Sequence, residues 1–180
     1  MAESCLGELG DRWLHVQAVG RAAEQFQQRG YDVPDALVMA AWLHDVGYAD
    51  TVARTGFHPL DGADWLRRQG VPEEVESLVA YHSGARFEAE ERGLADELAR
   101  FPTPGRDRLD ILTFIDMSTS PTGERVGVNE RLSEILMRYP DGHPVHRAVS
   151  RSRGHLVESA NRAARRLGQA GDAQTAFRSS

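Results

Sequence analysis

The stretch Pro34-Asp35-Ala36-Leu37-Val38-Met39-Ala40-Ala41-Trp42-Leu43-His44-Asp45-Val46-Gly47 decides how this chain folds. Pro34 and Asp35 open a helix, because proline has no N–H to lose in a first turn and a carboxylate there meets the positive end of the helix dipole. Residues 36–43 are apolar without a break, so the helix is expected to be buried on all sides. Gly47 ends it and leaves His44 and Asp45 in its last turn. Two adjacent polar side chains there cannot both point to one solvent face. A buried carboxylate is normally neutralised or paired, yet no Lys or Arg falls near Asp45 on this helix. The helix dipole at that end is negative as well. A divalent cation resolves both problems.

Outward from this helix, period-3.6 patterns bounded by Pro and Gly recur along the chain, and no stretch alternates like a strand. The fold class is all-α, a single-domain helical bundle. Upstream, a helix from about Asp11 to Arg29 carries His15, Val19, Ala22 and Phe26 on one stripe and stops at Gly30. Downstream, helices start near Pro59 and near Pro72, the latter with Val75, Leu78, Val79 and His82 at i, i+3, i+4 and i+7. Phe87 to Arg100 reads as a surface helix interrupted by Gly93. Leu109, Leu112, Ile115 and Asp116 share the inner face of another helix, and Ser118 to Gly123 forms a loop. Val128, Leu132, Ile135 and Tyr139 mark the next helix, and Val145 to Leu167 a long last one. The domain is expected over residues 1–168, with its ligand-bearing core at about 11–140 and a frayed tail at 169–180.

The chain has 180 residues, 41% hydrophobic and 27% charged, the size and balance of one compact domain. Cys5 has no partner, which removes a disulfide framework or a cysteine-based zinc site and suits a reducing cytoplasm. Glu3, Glu8 and Asp11 stand where a signal peptide needs basic residues, and no segment is apolar enough for a membrane span. A net charge of −6 disfavours nucleic-acid polymers and anionic lipid, leaving a small molecule as the expected partner. No motif speaks to a protein partner. All 21 basic residues are arginine, so Schiff-base chemistry and a lysine-bearing phosphate loop are ruled out.

Polar residues on apolar stripes carry the chemistry. His15, His44, Asp45 and Asp116, with His82 a fifth, occupy positions where the pattern calls for core. Neutral imidazoles and ionised carboxylates are ligands that divalent ions take. A lone His on an apolar face is more often a hydrogen-bonded core residue, so His15 or His82 alone proves nothing. Asp116 has a rival role as a cap on the loop that follows it, and His58 a rival role as a helix-entrance residue. His143, His146 and His155 lie off the stripes and read as surface.

The spacing His15, His44-Asp45, Asp116 resembles the H…HD…D signature of the HD-domain superfamily of metal-dependent phosphohydrolases. The contexts Leu14-His15-Val16, the run AAWLHDVG over residues 40–47 and Phe114-Ile115-Asp116 resemble it too. His58 and His82 extend the likeness to the two-metal variants, H…HD…H…H…D, and the chain looks like a small single-domain bacterial member. The resemblance implies a helical bundle in which His15, His44, Asp45 and Asp116 hold a first metal. His58 and His82 would hold a second, with Asp45 bridging. It leaves open one or two divalent ions, and iron, manganese, cobalt, nickel, zinc or magnesium as their identity. The lysines that many of these enzymes set against substrate phosphate are absent. Arg86 and Arg125, each just beyond a ligand or its loop, are the expected substitutes.

The reaction expected is hydrolysis of a small phosphate ester, a nucleotide or phosphorylated metabolite, by attack of metal-bound hydroxide. Asp45 orients the nucleophile, arginine stabilises charge in the transition state, and His58 or His82 protonates the leaving oxygen if the second metal is absent. One rival is a di-iron oxygenase of the same fold, against which the absence of lysine counts. The other is a non-catalytic metal- or ligand-binding domain.

Overall fold

The computed structural model describes residues 1–168, so the tail expected at 169–180 lies outside the described residues. The described residues are helical and contain no strand, only one isolated bridge between Thr119 and Arg125. A short α1 (Ala2–Leu6) precedes α2 (Asp11–Gln28), α3 (Asp35–Leu43), α4 (His58–Gln69) and α5 (Glu73–Tyr81). After them come α6 (Ala85–Arg92), α7 (Ala95–Leu98), α8 (Arg106–Met117), α9 (Val128–Arg138) and α10 (Pro144–Arg166). Single 3-10 turns follow α3, at Val46–Tyr48, and α5, at His82–Gly84.

Helix α3 runs through the middle and packs against α2 and α5 with Leu37, Ala40, Ala41 and Leu43 buried. It is not buried on all sides as its composition implies. Met39 is 41% exposed, because α1 and α2 leave a strip of α3 uncovered. Trp42 lies at the edge of that strip and donates from Nε1 to Glu24, which satisfies its one polar atom. The expected surface helix from Phe87 to Arg100 is two elements, α6 and α7. Gly93 at φ 70° ends the first, and a backbone hydrogen bond from Leu94 to Ala89 closes the turn.

Two features bring the helix ends together. Gly47 lets the turn after α3 lie against the start of α4, since a Cβ there would stand 2.0 Å from the His58 carbonyl oxygen. That approach sets His58 beside the end of α3. On the other side, α10 packs along α8 and α6, and Arg162 of α10 grips Asp110 of α8 at 2.7 and 2.9 Å while Ser159 also donates to it. The buried Asp110 is thus fully occupied, and α8 is fixed with Asp116 at its inner end.

Candidate metal centre

Six side chains from five places in the sequence converge at these helix ends. His15 comes from the second turn of α2, His44 and Asp45 from the end of α3, His58 from the start of α4, His82 from the end of α5 and Asp116 from the end of α8. All but His58 are 4% exposed or less. The ligand atoms of His15, His44 and Asp116 lie within 4.8 Å of one another, as do those of Asp45, His58 and His82.

Backbone carbonyls set three of the imidazoles. Ser120 O lies 3.0 Å from His15 Nδ1, Ala41 O 2.9 Å from His44 Nδ1 and Val79 O 2.6 Å from His82 Nδ1. A carbonyl only accepts, so each of these Nδ1 atoms carries the proton and each neutral ring turns a lone pair on Nε2 inward. His15 Nε2 and His44 Nε2 then face each other at 3.3 Å, and Asp116 Oδ1 stands 3.0 Å from His15 Nε2. Lone pairs aimed at one point with no donor among them are what a cation binds. Without one, a proton on His15 is the remaining remedy. Burial opposes that charge, but the hydrogen bond and charge of Asp116 outweigh it and raise the His15 pKa.

Asp45 joins the two triads. Its Oδ1 faces His58 Nε2 at 3.4 Å and His82 Nε2 at 3.9 Å, while its Oδ2 faces His44 Nε2 at 3.5 Å and His15 Nε2 at 4.0 Å. Oδ2 also accepts from Arg12 Nη1 at 2.7 Å. Burial works against the ionised form of Asp45, but His44 and Arg12 overcome it and hold the carboxyl well below its usual range. Asp116 is depressed likewise, burial being outweighed by the His15 hydrogen bond and His44. Burial lowers His44 and His58 against the pull of Asp45 toward the charged ring, which favours the neutral imidazole that a metal takes as a ligand. The donor set, neutral imidazoles and ionised carboxylates around two shared points, fits one or two divalent ions.

Two supports of this centre, Arg12 and Ser83, lie outside the pattern of polar residues on apolar stripes. Arg12 lies one turn before His15 on the same face of α2, a spacing that could have shown it, and its guanidinium also covers Tyr48 at 3.9 Å from the ring centroid. Tyr48 in turn stacks on His58 at 4.0 Å. Ser83 left no sequence signal. It takes φ 48°, a left-handed conformation unusual for serine, and from there its Oγ donates to Asp116 Oδ2.

The centre opens into a cavity of about 700 Å³, counting its mouth. The arginines that line it are Arg12, Arg131 and Arg138, not the two expected. Ser83 and Gly84 do end the helix before Arg86, but both adopt positive φ and turn Arg86 away, to cover Phe87 at 4.7 Å and line a separate cleft beside α10. Arg125 borders another cleft, between α2 and α8. His143 caps α10, accepting from Val145 N, and His155 is exposed, so neither they nor His146 enter the cavity.

An all-α domain whose helix ends bring two His/Asp triads onto one carboxylate is a candidate divalent-metal protein. The chain belongs to the HD domain family, whose profile matches residues 12–114 and which is a superfamily of metal-dependent hydrolases. Asp116, just past the matched segment, is brought in by the geometry of α8. The chain is also 34% identical over 77 residues to the tRNA (cytidine(56)-2'-O)-methyltransferase of Thermoplasma volcanium, a match covering 43% of this chain and 22% of that protein. No solved structure matches it significantly. Among the described residues, no helix is long and apolar enough to cross a membrane.

Proposed function

We propose that this protein is a metal-dependent phosphohydrolase acting on a small phosphate ester, a nucleotide or phosphorylated metabolite. The observation that carries the reading is the sharing of Asp45 by both triads beside a cavity lined by three arginines. His15, His44 and Asp116 would hold one cation and His58 and His82 a second, with Asp45 serving both. Such cations, when bound, activate water as a nucleophile and neutralise phosphoryl oxygens.

The chain's own residues supply the rest. Arg12 holds Asp45 in one orientation through Oδ2, and Ser83 does the same for Asp116, so neither carboxylate must reorganise during the reaction. The carbonyls behind His15, His44 and His82 keep those rings in one tautomer. His58, the most open of the four imidazoles at 17% exposure, is placed to exchange a proton with a leaving oxygen when it is not engaged as a ligand. A recessed cavity and a net charge of −6 favour a small molecule over a polymer.

The test is metal analysis of protein purified without chelator, followed by phosphate-release assays with manganese, iron, cobalt and magnesium over a phosphoester panel. Metal-dependent release that a chelator abolishes is expected. Oxygen consumption by the iron-loaded protein without phosphate release would overturn the reading in favour of an oxygenase. Tight metal content with no turnover would leave a binding domain.

A further inference from the structure

Helix α9 contributes no side chain to either triad, yet it turns Arg131, Ile135 and Arg138 into the same cavity, joined by Tyr139 just past its end. The spacing i, i+4 and i+7 puts the three helical residues on one face. Arg131 sits on the buried stripe with Leu132 and Ile135 and is only 6% exposed, although an arginine there has the desolvation cost of a full charge. Its Nη1 is paired with Glu134 Oε2, and its Nε is the one buried side-chain polar atom among the described residues that meets no hydrogen-bond partner. Glu134 is shared: its Oε1 accepts from Arg138. One carboxylate therefore serves two guanidinium groups, and Arg131 can exchange Glu134 for an incoming acid without leaving Glu134 unpaired. Beside these charges, Ile135, Val145, Val149 and Leu156 give the cavity an apolar wall.

We propose that Arg131, supported by Arg138, is the residue that selects the substrate, taking an oxyanion of a molecule whose carbon skeleton lies along the apolar wall of α9 and α10. The oxyanion is either the phosphoryl group itself or a second acidic group on the same molecule. The buried guanidinium keeps a fork of donors with one arm unused, which a planar or tetrahedral oxyanion fills. This assignment rests on the hydrolase reading only for the word substrate, because the binding it requires is measurable without turnover.

The experiment is calorimetric titration of the metal-loaded protein with phenylphosphonate and with 4-carboxyphenylphosphonate, neither of which is hydrolysed. Arg131→Gln should weaken binding about tenfold or more while metal content stays unchanged, and Arg131→Lys should restore part of it. A larger loss for the carboxylated probe assigns the second acidic group, and equal losses assign the phosphoryl group. Glu134→Gln, at a half-exposed position, removes the competing carboxylate and should tighten binding several-fold; it keeps the test decisive if Arg131→Gln does not fold. Unchanged affinity in Arg131→Gln, or in Glu134→Gln should the former fail to fold, overturns the proposal. Failure of the hydrolase reading appears instead as absent phosphate release, with these affinities unaffected.

Discussion

Arg12 Nη1 lies 2.7 Å from Asp45 Oδ2, so the carboxylate at the centre of the site is held from outside by a side chain 33 residues away in sequence. Among the described residues this is the one guanidinium bonded to that buried charge. Arg12→Ala should cost the chelator-treated protein about 2–3 kcal/mol, the loss of a charged hydrogen bond that leaves Asp45 short of a partner. The penalty should shrink on metal loading, when a cation serves Asp45 as well. Denaturant titrations of both forms check this, and equal penalties would show that Arg12 and the metal do not share Asp45.

Asp45 faces all four imidazoles, His58 and His82 only its Oδ1. Asp45→Ala should therefore abolish metal retention and activity together, whereas His58→Gln or His82→Gln should lower the content from about two ions per chain to about one. Elemental analysis after gel filtration measures this. Two ions retained in either histidine variant would sink the pairing, and normal content in Asp45→Ala would remove the assignment at its centre.

Ser83 holds Asp116 from a left-handed backbone, two properties that substitution can separate. Ser83→Ala loses the hydrogen bond and keeps the strained conformation; Ser83→Gly loses the bond but relieves the strain, so it should be the more stable by about 1 kcal/mol. Both should weaken metal binding by roughly 10–100-fold, the usual effect of removing a group that orients a ligand. Competition with a chromophoric chelator reads the affinity and thermal melts the stability. Undiminished affinity in both variants would make the Ser83 contact incidental.

The metal-free protein should lose stability on acidification. Burial holds His44 and His58 below the ordinary imidazole value of 6.5, so the unfolded chain takes up protons there that the folded chain refuses. Asp45 and Asp116 act in the same direction: their contribution is present above the ordinary carboxylate value of 3.8 and is lost as pH falls through their depressed folded values. His15, raised by Asp116 against the opposing effect of burial, works the other way, its contribution being complete below 6.5 and lost as pH rises through its folded value. His58 is held well below 6.5 and His44 acts with it, so the Tm of chelator-treated protein should drop between about pH 7 and pH 5. Circular dichroism melts across that range decide it, and a rising Tm would mean that His15 dominates.

The residues by themselves determined the all-α class, most helix boundaries and the six convergent polar side chains. The reason is that a histidine or aspartate on an apolar helical stripe is out of place without a partner, and periodicity makes the misplacement visible in one dimension. Arg131 is out of place in the same way on the stripe of Val128, Leu132 and Ile135. Other features were decided only in three dimensions. Which arginine meets Asp45 depends on how α2 crosses α3, and where Arg86 points depends on two positive φ angles at Ser83 and Gly84. The exposure of Met39 depends on how far α1 and α2 reach across α3. Hydrophobic spacing specifies which face of a helix is inside, whereas the crossing of helices and the torsions of the turns between them choose the neighbour each side chain meets there.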